Sequence, residues 1–385
     1  MNFISNPHIK LGILGGGQLG KMMLLSTANY DVYTKVLDPD PHCSSAPFCS
    51  EFVQGSFNDY QTVIDFGKDC QYLTVEIEHV NTDALHTLKS MGVEVHPDPA
   101  VLEVIKDKGR QKEFYREKGI KTSDFQWVEG PDEIVRLVKE GSLVFPFVQK
   151  TRTAGYDGKG VKMVRNEEDL HHLLAGPSVV EVAVPIKKEL AVIVAQSDAT
   201  PGIVAFDVVD MEFNPQANLV EFLYSPANVS QHIKDQAVSL AKSVLQGFNN
   251  RGLLAVELFL DEQDELWVNE VAPRPHNSGH HTIDANVTSQ FEQHWRSVLN
   301  LPLGDVTQHS PAVMVNILGE PGYEGPVTYE GWSDAMNHKG VKMHVYGKKT
   351  TKPFRKMGHF TVISDTLDEA ISIARNVKNK LKVVS

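Results

Sequence analysis

Cysteine is scarce in this sequence, and long hydrophobic runs are missing from it. The three cysteines, Cys43, Cys49 and Cys70, cannot all pair and show neither a CxxC nor a Cys/His spacing. This pattern gives no sign of a disulfide framework or a zinc site and favours a reducing compartment. No stretch of eighteen apolar residues occurs, so no transmembrane helix is predicted, and the opening MNFISNPHIKLGILGGG does not have the pattern of a signal peptide. We therefore expect a soluble, cytoplasmic protein that does not bind membranes.

Positive charge is also in short supply. The 385 residues include 37 Lys and Arg against 49 Asp and Glu, which gives a formal net charge of −12. Nucleic-acid binders depend on Lys and Arg to neutralise phosphates, so this balance argues against a nucleic-acid partner. It does not argue against a small anionic ligand, which needs only local positive charge. Hydrophobic residues make up 41%, and the chain is therefore globular, with a length typical of two or three domains.

Internal repeats and low-complexity segments are absent, and the chain instead alternates strands with helical segments. Short apolar strands are predicted at 10–14, 32–37, 71–75 and 93–96. Such alternation is typical of a parallel sheet, so the first part of the chain is predicted to be α/β. A charged helix at 107–118 leads into shorter strands, which predict α+β units for the rest. We expect three domains that pack together, at about 1–105, 106–300 and 301–385.

A glycine motif follows the first predicted strand. Gly15, Gly17 and Gly20 form GxGxxG ahead of a helical run, and Asp38 lies 18 residues after Gly20. One interpretation is a dinucleotide site, in which backbone amides hold the pyrophosphate and the acid holds the ribose. A second is close packing of strand against helix, and a third is a single phosphate or sugar at the helix N-terminus. The motif by itself leaves all three open.

A second glycine-rich segment, KTRTAGYDGKGV at 150–161, lies between two predicted strands. Its three glycines would let consecutive backbone amides converge on phosphate oxygens, and Lys150 would add a point charge from the end of the strand. The segment is not a Walker A motif, because the GxxxxGK[ST] spacing and the following helix are missing. A plain hairpin loop is the alternative, but it needs neither so many glycines nor the interleaved Thr, Tyr and Asp. The pattern favours a phosphate-binding loop.

Two glutamates are predicted to face each other on a β-hairpin. Residues 252–274 read as two alternating apolar strands, and a turn centred between Gln263 and Asp264 pairs Glu257 with Glu270. Like charges directly opposite on a strand pair are destabilising, and a shared hard cation such as Mg²⁺ removes the repulsion. The alternative is a slip of one residue, which would place the two glutamates on different faces. We favour the metal site.

The segment after the hairpin, APRPHNSGHHT at 272–282, concentrates polar side chains on a backbone restricted by two prolines. Arg274 can bind a small planar oxyanion through two hydrogen bonds, which Lys cannot do. The histidine spacing is not that of a zinc site on a helix. A purely structural loop is the alternative.

A basic segment lies nearer the C-terminus. Residues 338–359 carry seven Lys and Arg and no acidic residue, a local reversal of the overall charge. A charge run is usually a solvated face. The RKMGH sequence within this segment is more typical of a shaped anion contact.

Together these blocks resemble the ATP-grasp superfamily and, within it, the N5-carboxyaminoimidazole ribonucleotide synthetase family. The resemblance rests on GGGQLG, RTAGYDGKG, NEVAPRPHNSGH and the pair YGK and RKMGH, which span residues 15–359. It implies an ATP-grasp fold of mixed α/β and α+β type, with a Rossmann-like pre-ATP-grasp domain, a lid at about 120–185 and a small C-terminal domain. It also implies a homodimeric ligase that needs Mg²⁺, with Mn²⁺ as a substitute. Such a ligase converts ATP, bicarbonate and 5-aminoimidazole ribonucleotide to the N5-carboxy product, ADP and phosphate in purine biosynthesis.

The same resemblance assigns candidate residues. The expected ATP contacts are Lys108, Lys150, Gly155, Tyr156, Asp157, Gly158, Lys159, Gly160, Val161, Glu181, Val182, Ala183, Val184, Glu189, Asn269 and Glu270. The expected Mg²⁺ ligands are Glu257 and Glu270. The expected catalytic residues, including the bicarbonate pocket at 274–277, are Tyr156, Asp157, Arg274, His276, Asn277 and Lys356. The expected ribonucleotide contacts are Gln18, Glu76, Asp157, Lys348, Arg355 and Lys356. Within these sets, the backbone of residues 181–184 would read adenine and Glu189 would bind the ribose.

The sequence departs from the family pattern at three places. Lys108 stands where the family usually has Arg, a tolerable change at a point-charge contact. Residues 211–213 read Met-Glu-Phe where many members carry an Asn-x-His block. Ala272 stands where other ATP-grasp branches place an Asn metal ligand, so Mg²⁺ would rely on Glu257 and Glu270.

Three rival functions remain. A formate-dependent glycinamide ribonucleotide transformylase shares the metal hairpin and a PRPH block, but the continuation at 277–280, Asn-Ser-Gly-His, argues against it. An NAD(P) oxidoreductase explains only residues 12–38 and leaves the paired glutamates and the lysine loop without a role. An inactive ATP-binding module is disfavoured because the expected charged groups are present.

Overall fold

A computed structural model describes residues 9–153 and 160–385 of the chain. The N-terminal unit consists of β1 (Lys10–Leu14), α1 (Gln18–Thr27), β2 (Tyr33–Asp38), β3 (Glu51–Gln54), α2 (Tyr60–Gly67), β4 (Tyr72–Val75), α3 (Thr82–Ser90), β5 (Glu94–His96) and α4 (Pro99–Lys106), with 3₁₀ turns at Ala28–Tyr30 and Ala46–Phe48. Its strands form one parallel sheet in the order β3-β2-β1-β4-β5, which confirms the predicted α/β unit. The strand β3 was not predicted, because only two of its four residues are apolar.

Side-chain caps begin several helices of this unit. Asp59, Asn81 and Asp98 each accept a backbone N–H in the first turn of α2, α3 and α4. Such caps satisfy N–H groups that have no partner inside the helix. Local sequence therefore determines where these three helices begin.

The second unit holds a small antiparallel sheet. It comprises α5 (Lys108–Glu117), β6 (Phe125–Val128), α6 (Pro131–Lys139), β7 (Phe147–Thr151), β8 (Val161–Val164), a 3₁₀ segment (Glu167–His172) and β9 (Ser178–Val182). The helix α5 confirms the one predicted at 107–118. The four strands pair in the order β6-β9-β7-β8 over a core of their own that includes Ile134 and Phe147. This sheet places Lys150 and Glu181 on neighbouring strands.

A larger antiparallel sheet follows. Its elements, and those that cover it, are β10 (Ile186–Ser197), β11 (Thr200–Ala205), β12 (Val209–Asn214), β13 (Leu219–Ser225), α7 (Gln231–Phe248), β14 (Gly252–Asp261), β15 (Leu266–Ala272), a 3₁₀ turn (Asn277–Gly279), α8 (Thr282–Ala285), α9 (Gln290–Val298), β16 (Ala312–Leu318), β17 (Gly325–Pro326), β18 (Thr328–Glu330), α10 (Trp332–Met336), β19 (Val341–Val345), β20 (Thr350–Thr351), β21 (Lys356–Ile363), α11 (Leu367–Lys380) and β22 (Lys382–Val384). Its path runs β15-β14-β10-β12-β13-β16-β21-β19, with β11 paired to β10. Two short pairs, β17 with β20 and β18 with β22, lie apart from it.

This sheet continues into the stretch expected to be a separate C-terminal domain. Strand β13 pairs with β16, and β16 pairs with β21, so residues from beyond 301 extend the sheet that carries the β14–β15 hairpin. Helix α11 packs on the added strands over a core that includes Phe360 and Val377. The C-terminal stretch therefore delivers β21, with Lys356 at its start, to the same sheet as the paired glutamates.

The N-terminal unit packs directly on the large sheet's helical layer. Leu11, Met23 and Trp295 belong to one buried cluster, and the indole Nε1 of Trp295 donates to the carbonyl of Met23 at 2.7 Å. Burial of these large side chains gives the apolar driving force that joins the two units. In the part of the chain that the structure describes, no helix has the length and hydropathy needed to cross a membrane.

Candidate active site

The β14–β15 hairpin pairs Glu257 with Glu270, as predicted, although the turn is not centred where the prediction placed it. Near the turn, Leu260 pairs with Leu266 and Leu258 with Val268, one residue out of step with the register predicted from a turn between Gln263 and Asp264. The register then shifts between Glu257 and Leu258. This bulge leaves Asn269 as the extra residue, and without it Glu257 would face Asn269. The slip considered above therefore occurs, and the bulge reverses it before the glutamates.

A third carboxylate, that of Glu189, lies near the paired glutamates. Burial, together with the carboxylates of Glu270 and Glu189, raises the pKa of Glu257 to about 8 against the opposing charges of Lys356 and Lys150. Burial likewise raises the pKa of Glu189 to about 7. Glu189 shares this sheet face, because Glu257 pairs with Ala191 and Glu189 lies two residues along the same strand. A cation between Glu257 and Glu270 would relieve this repulsion.

The donor set matches a magnesium ion that also binds phosphate. Within residues 9–153 and 160–385, no group of three or more His, Cys, Asp or Glu side chains is arranged to hold a metal by itself. The protein therefore offers the pair Glu257 and Glu270 rather than a full cage. Mg²⁺ is commonly bound by one or two carboxylates, with water and substrate phosphates completing its shell.

Two of the predicted ATP lysines reach this hairpin. Lys150 Nζ donates to Asn269 Oδ1 at 2.8 Å, and Lys108 Nζ lies 3.6 Å from Glu270 Oε2. Burial opposes the charge on Lys150, but the carboxylates of Glu181 and Glu270 outweigh it and raise the pKa of Lys150. The bulge residue Asn269 thus holds the lysine of the small sheet beside the glutamates of the large one.

Lys112 is a residue of this site that the sequence analysis missed. Its Nζ lies 2.8 Å from Glu181 Oε2, and Glu181 Oε1 lies 3.0 Å from Lys150 Nζ. Burial lowers the pKa of Lys112 to about 8. Against the cost of burial, Lys150 and Lys112 lower the pKa of Glu181 to about 2. A signal was available, because Lys112 lies four residues after Lys108 and so on the same face of α5.

At the strand end, residues 181–184, some of the side chains and backbone N–H groups already have partners within the chain. The Glu181 side chain is buried against the two lysines and does not reach the exposed end of the segment. The N–H of Val182 donates to the carbonyl of Asp124 at 2.9 Å, and that of Ala183 to Pro146 at 3.3 Å. Val182 is half exposed beside Ala183 and Val184. The accessible part of this segment is therefore its exposed end, at Val182.

The two ends of the glycine-rich loop lie among the described residues. The predicted residues Gly155, Tyr156, Asp157, Gly158 and Lys159 lie outside the described residues. Where the loop returns, the carbonyl of Gly160 accepts from the N–H of Thr151 at 2.9 Å, and Val161 pairs with Lys150 across β7 and β8. Both ends of the loop therefore meet next to Lys150.

Arg274 holds a carboxylate of the N-terminal unit. Its Nε lies 2.9 Å from Glu78 Oε1, and its Nη2 donates to Glu78 Oε2 at 3.0 Å. This two-point contact orients the guanidinium plane. Glu78 was not among the predicted residues, although it follows the predicted strand together with Glu76. The contact places Arg274 at the junction of the N-terminal unit and the hairpin.

His276 points at the paired glutamates. Its Nε2 lies 3.4 Å from Glu257 Oε1, and its Nδ1 is 2.9 Å from the hydroxyl of Ser278. Gln290 holds its backbone from both sides, with the N–H of His276 donating to Gln290 Oε1 at 2.8 Å and Gln290 Nε2 donating to the His276 carbonyl at 2.7 Å. Ser278 of the same block and Gln290 at the start of α9 therefore hold the imidazole beside the hairpin.

The Asn277 side chain binds a residue of the C-terminal strands. Its amide exchanges two hydrogen bonds of 2.9 Å with Asn316 on β16, and Asn316 also donates to the carbonyl of Val220 at 2.7 Å. In this arrangement Asn277 joins the polar block to the C-terminal strands. Its predicted place in a bicarbonate pocket stays a prediction.

The basic segment contributes Lys356 to the site. The positive charge of Lys356 opposes the rise in the pKa of Glu257, so the two groups lie near each other. Lys348 Nζ donates to the backbone carbonyl of Lys356 at 2.8 Å, which supports the start of β21. Arg355 instead donates to the carbonyl and hydroxyl of Thr350, at 2.7 and 3.0 Å. The segment thus brings one lysine to the glutamates and supports it with a second.

The backbone N–H groups of the N-terminal glycine motif donate to carboxylates of the protein itself. Glu76 accepts the N–H groups of Gly17 and Leu19, each at 3.1 Å, and Asp38 accepts that of Gly16 at 2.7 Å. Of the three interpretations, close packing fits best, with a protein carboxylate standing where a phosphate would bind. The predicted ribonucleotide contact Gln18 is the first residue of α1 and is half-buried beside this cap.

Comparison with known proteins matches three family domains along the chain. The chain matches the ribonucleotide synthetase pre-ATP-grasp domain over residues 8–106, the ATP-grasp domain over 113–291 and the phosphoribosylaminoimidazole carboxylase C-terminal domain over 312–372. Among solved structures, it resembles N5-carboxyaminoimidazole ribonucleotide synthetase from Thermotoga maritima, with a TM-score of 0.90, 40% identity and coverage of 98% of this chain and 99% of that one. It also resembles the Aspergillus clavatus synthase in complex with ADP and 5-aminoimidazole ribonucleotide, with a TM-score of 0.88, 31% identity and coverage of 97% and 99%.

Two sequence relatives differ in how much of their length is matched. The N5-carboxyaminoimidazole ribonucleotide synthase of Bacillus subtilis is 35% identical over 375 residues, which cover 96% of this chain and 95% of that protein. The chloroplastic phosphoribosylaminoimidazole carboxylase of Vigna aconitifolia is 37% identical over 369 residues, which cover 94% of this chain and 65% of that protein. The chain thus spans about two thirds of the plant and yeast carboxylases that it matches. This chain belongs to the N5-carboxyaminoimidazole ribonucleotide synthase family of ATP-grasp enzymes.

Proposed function

We propose that this chain carboxylates 5-aminoimidazole ribonucleotide with bicarbonate at the expense of ATP, giving N5-carboxyaminoimidazole ribonucleotide, ADP and phosphate in de novo purine biosynthesis. The observation that carries the proposal is that Glu257 and Glu270 face each other across the hairpin, reached by Lys108 and Lys150 from one side and approached by Lys356 from the C-terminal strands. We take the synthase activity because the chain covers 95% of the bacterial synthase but only 65% of the plant carboxylase.

In this proposal Glu257 and Glu270 hold Mg²⁺, with Mn²⁺ as a substitute. When bound there, the ion neutralises charge on the phosphates and on the phosphoryl group in transfer. Lys150 and Lys108 supply further positive charge to the β- and γ-phosphates. Phosphoryl transfer depends chiefly on such positioning and charge stabilisation.

The nucleotide would lie between the two antiparallel sheets. The backbone at 181–184 reads the adenine, Glu189 binds the ribose, and Asn269 keeps Lys150 directed at the phosphates. The loop from Gly155 to Val161 closes over the triphosphate and excludes water. The structure of the Aspergillus clavatus relative in complex with ATP supports a nucleotide site in this fold.

Bicarbonate would be activated beside the hairpin. Arg274, oriented by Glu78, positions the oxyanion for attack on the γ-phosphorus, with His276 and Asn277 in the same pocket. The product of that step is carboxyphosphate. Its carboxyl group, or the CO₂ released from it, is then transferred to the exocyclic amine of the ribonucleotide, and Asp157 accepts or orients the proton of that amine.

The ribonucleotide would bind between the N-terminal unit and the C-terminal strands. Gln18 and Glu76 approach it from the first, Lys348, Arg355 and Lys356 from the second, and Tyr156 and Asp157 from the loop. We also propose that the enzyme is a cytoplasmic homodimer and that its domains divide near residues 105 and 300. Light scattering on the purified protein tests the dimer.

The decisive experiment is ADP release from Mg·ATP with bicarbonate and 5-aminoimidazole ribonucleotide each omitted in turn. We expect full release only when both are present, together with formation of the N5-carboxy product. Release that instead depends on formate and glycinamide ribonucleotide would replace this function with that of the related transformylase. If ADP release depends neither on bicarbonate with 5-aminoimidazole ribonucleotide nor on formate with glycinamide ribonucleotide, both functions are contradicted.

A further inference from the structure

Three buried charged groups form a lysine–glutamate triad, consisting of Lys112, Glu181 and Lys150. The Glu181 carboxylate is shared, with Oε2 2.8 Å from Lys112 Nζ and Oε1 3.0 Å from Lys150 Nζ. The side chains of Lys112 and Glu181 are each 3% exposed, and that of Lys150 is 9% exposed. The triad thus buries two cations and one anion almost completely.

The triad links three parts of the site. Lys112 on α5 also donates to Thr122 Oγ1 at 2.6 Å and to Ser123 Oγ at 3.1 Å, and Ser123 donates to Glu181 Oε2 at 2.7 Å. Thr122 in turn donates to the carbonyl of Val268 at 2.7 Å, one residue before the bulge on β15. The helix, the small sheet and the metal-binding hairpin are therefore joined through Lys112.

Stability alone is a poor reason for this arrangement. Burying ions is costly, and apolar side chains of similar volume are often as stable or more so. One carboxylate also balances only one of the two ammonium groups, so the triad carries a surplus positive charge. Lys150 points that surplus at Asn269, which immediately precedes Glu270 in the hairpin.

We propose that Lys112 is a positioning residue for nucleotide binding, which shares Glu181 with Lys150 so that Lys150 keeps the positive charge it presents to the ATP phosphates. With Lys112 absent, Glu181 would have Lys150 as its one cationic partner in the triad and would neutralise it. Lys112 itself lies behind Glu181 and does not need to touch the nucleotide. This inference rests on the proposed nucleotide site and not on the identity of the carboxylated substrate.

Variants that change the triad's charge in known steps test the proposal. Lys112→Met makes the triad neutral at nearly constant shape, Glu181→Gln gives it two positive charges, and the double variant returns it to one. Lys118→Met, at the exposed end of the same helix, is the matched control. The measurement is the dissociation constant of Mg·ATP by titration calorimetry on the full chain, without bicarbonate or ribonucleotide, together with the melting temperature of each variant.

We expect Lys112→Met to weaken Mg·ATP binding about tenfold or more, the usual size of losing a charge-assisted contact, while Lys118→Met stays within about twofold. Glu181→Gln should lower the melting temperature, because two buried ammonium groups lose their counter-charge. The double variant should recover both melting temperature and affinity. If Lys112 acted only by filling space, adding Glu181→Gln to Lys112→Met would not restore the affinity for Mg·ATP.

Two results would overturn the inference: a folded Lys112→Met variant that binds Mg·ATP like the wild type, or a double variant that binds no better than Lys112→Met. Neither result bears on the substrate of the wild-type enzyme. Conversely, a wild type that binds Mg·ATP but releases no ADP with the ribonucleotide contradicts the proposed function and leaves the role of Lys112 intact. The two failures are therefore distinguishable.

Discussion

The glycine turn of the N-terminal unit and the β14–β15 hairpin differ in what their carboxylates face. In the turn, Glu76 meets the backbone N–H groups of Gly17 and Leu19, so its charge has partners within the chain. In the hairpin, Glu257 faces Glu270, another carboxylate. Both regions looked like ligand sites in the sequence, the first for an anion and the second for a cation.

The difference shows how a filled site can be told from one that needs a ligand. A helix N-terminus attracts an anion, and in the turn the protein supplies that anion itself. In the hairpin the group that faces Glu257 is a like charge: burial and Glu270 raise the pKa of Glu257, and the nearby Lys356 and Lys150 oppose this only in part. We therefore expect changes in the turn to cost stability and changes in the hairpin to cost turnover.

The largest effect is expected at the hairpin. Glu270→Gln removes one of the two proposed metal ligands, so substrate-dependent ADP release should fall by about 100-fold or more. The melting temperature should not fall, because the substitution removes a like charge from beside Glu257. Glu265→Gln, in the exposed turn of the same hairpin, is the control and should keep full activity. Near-normal turnover by Glu270→Gln would contradict the metal assignment.

The opposite result is expected in the glycine turn. A methyl group at Gly17 would lie 2.5 Å from Glu76 Oε1, so Gly17→Ala should lower the free energy of unfolding by about 1–3 kcal/mol. Gly130 also precedes a helix, but a methyl group there meets no described atom within 4 Å. Gly130→Ala should change stability by about 0.5 kcal/mol or less. Equal losses in urea unfolding would show that the carboxylate cap is not what restricts Gly17.

A smaller effect is expected at Lys356, where a substitution should change the KM for the ribonucleotide more than the KM for ATP. Lys356→Ala should raise the KM for the ribonucleotide about tenfold, the effect of losing one charged contact, with a lesser change in the KM for ATP. Lys352→Ala, which removes an exposed lysine of the same basic segment, serves as the control. An unchanged KM for the ribonucleotide would place that substrate elsewhere.

The smallest effect is expected at His281, a buried histidine that is uncharged at neutral pH. Burial lowers the pKa of His281 to about 4, below its unfolded value near 6.5. The stability this contributes is present above pH 6.5 and is lost as the pH falls from 6.5 towards 4. The wild type should therefore lose about 1 kcal/mol more than His281→Gln between pH 6.5 and 5.5 in urea unfolding. Parallel curves would show that His281 is not the titrating group.

Much of the site could be predicted because short motifs carry it. Strand and helix alternation predicted the N-terminal sheet. The pairing of Glu257 with Glu270 was also predicted, but from a register one residue out of step, which the bulge at Asn269 corrects. The bulge at Asn269 could not be predicted, since it depends on contacts of Asn269 with Lys150 from another sheet. The same holds for the pairing of Arg274 with Glu78, which are far apart in the chain.

The amino-acid sequence by itself determined the chemical groups of this protein and their local spacing: the carboxylates of the hairpin, the lysines of α5 and β7, and the caps that begin the helices. These depend on neighbours a few residues away. Only the tertiary structure decided which charges meet. It filled the glycine turn with Glu76, joined Lys112 to Lys150 through Glu181, and extended one sheet so that Lys356 approaches Glu257. Electrostatic partners are set by distance in space and by burial, and neither can be read from separation along the chain.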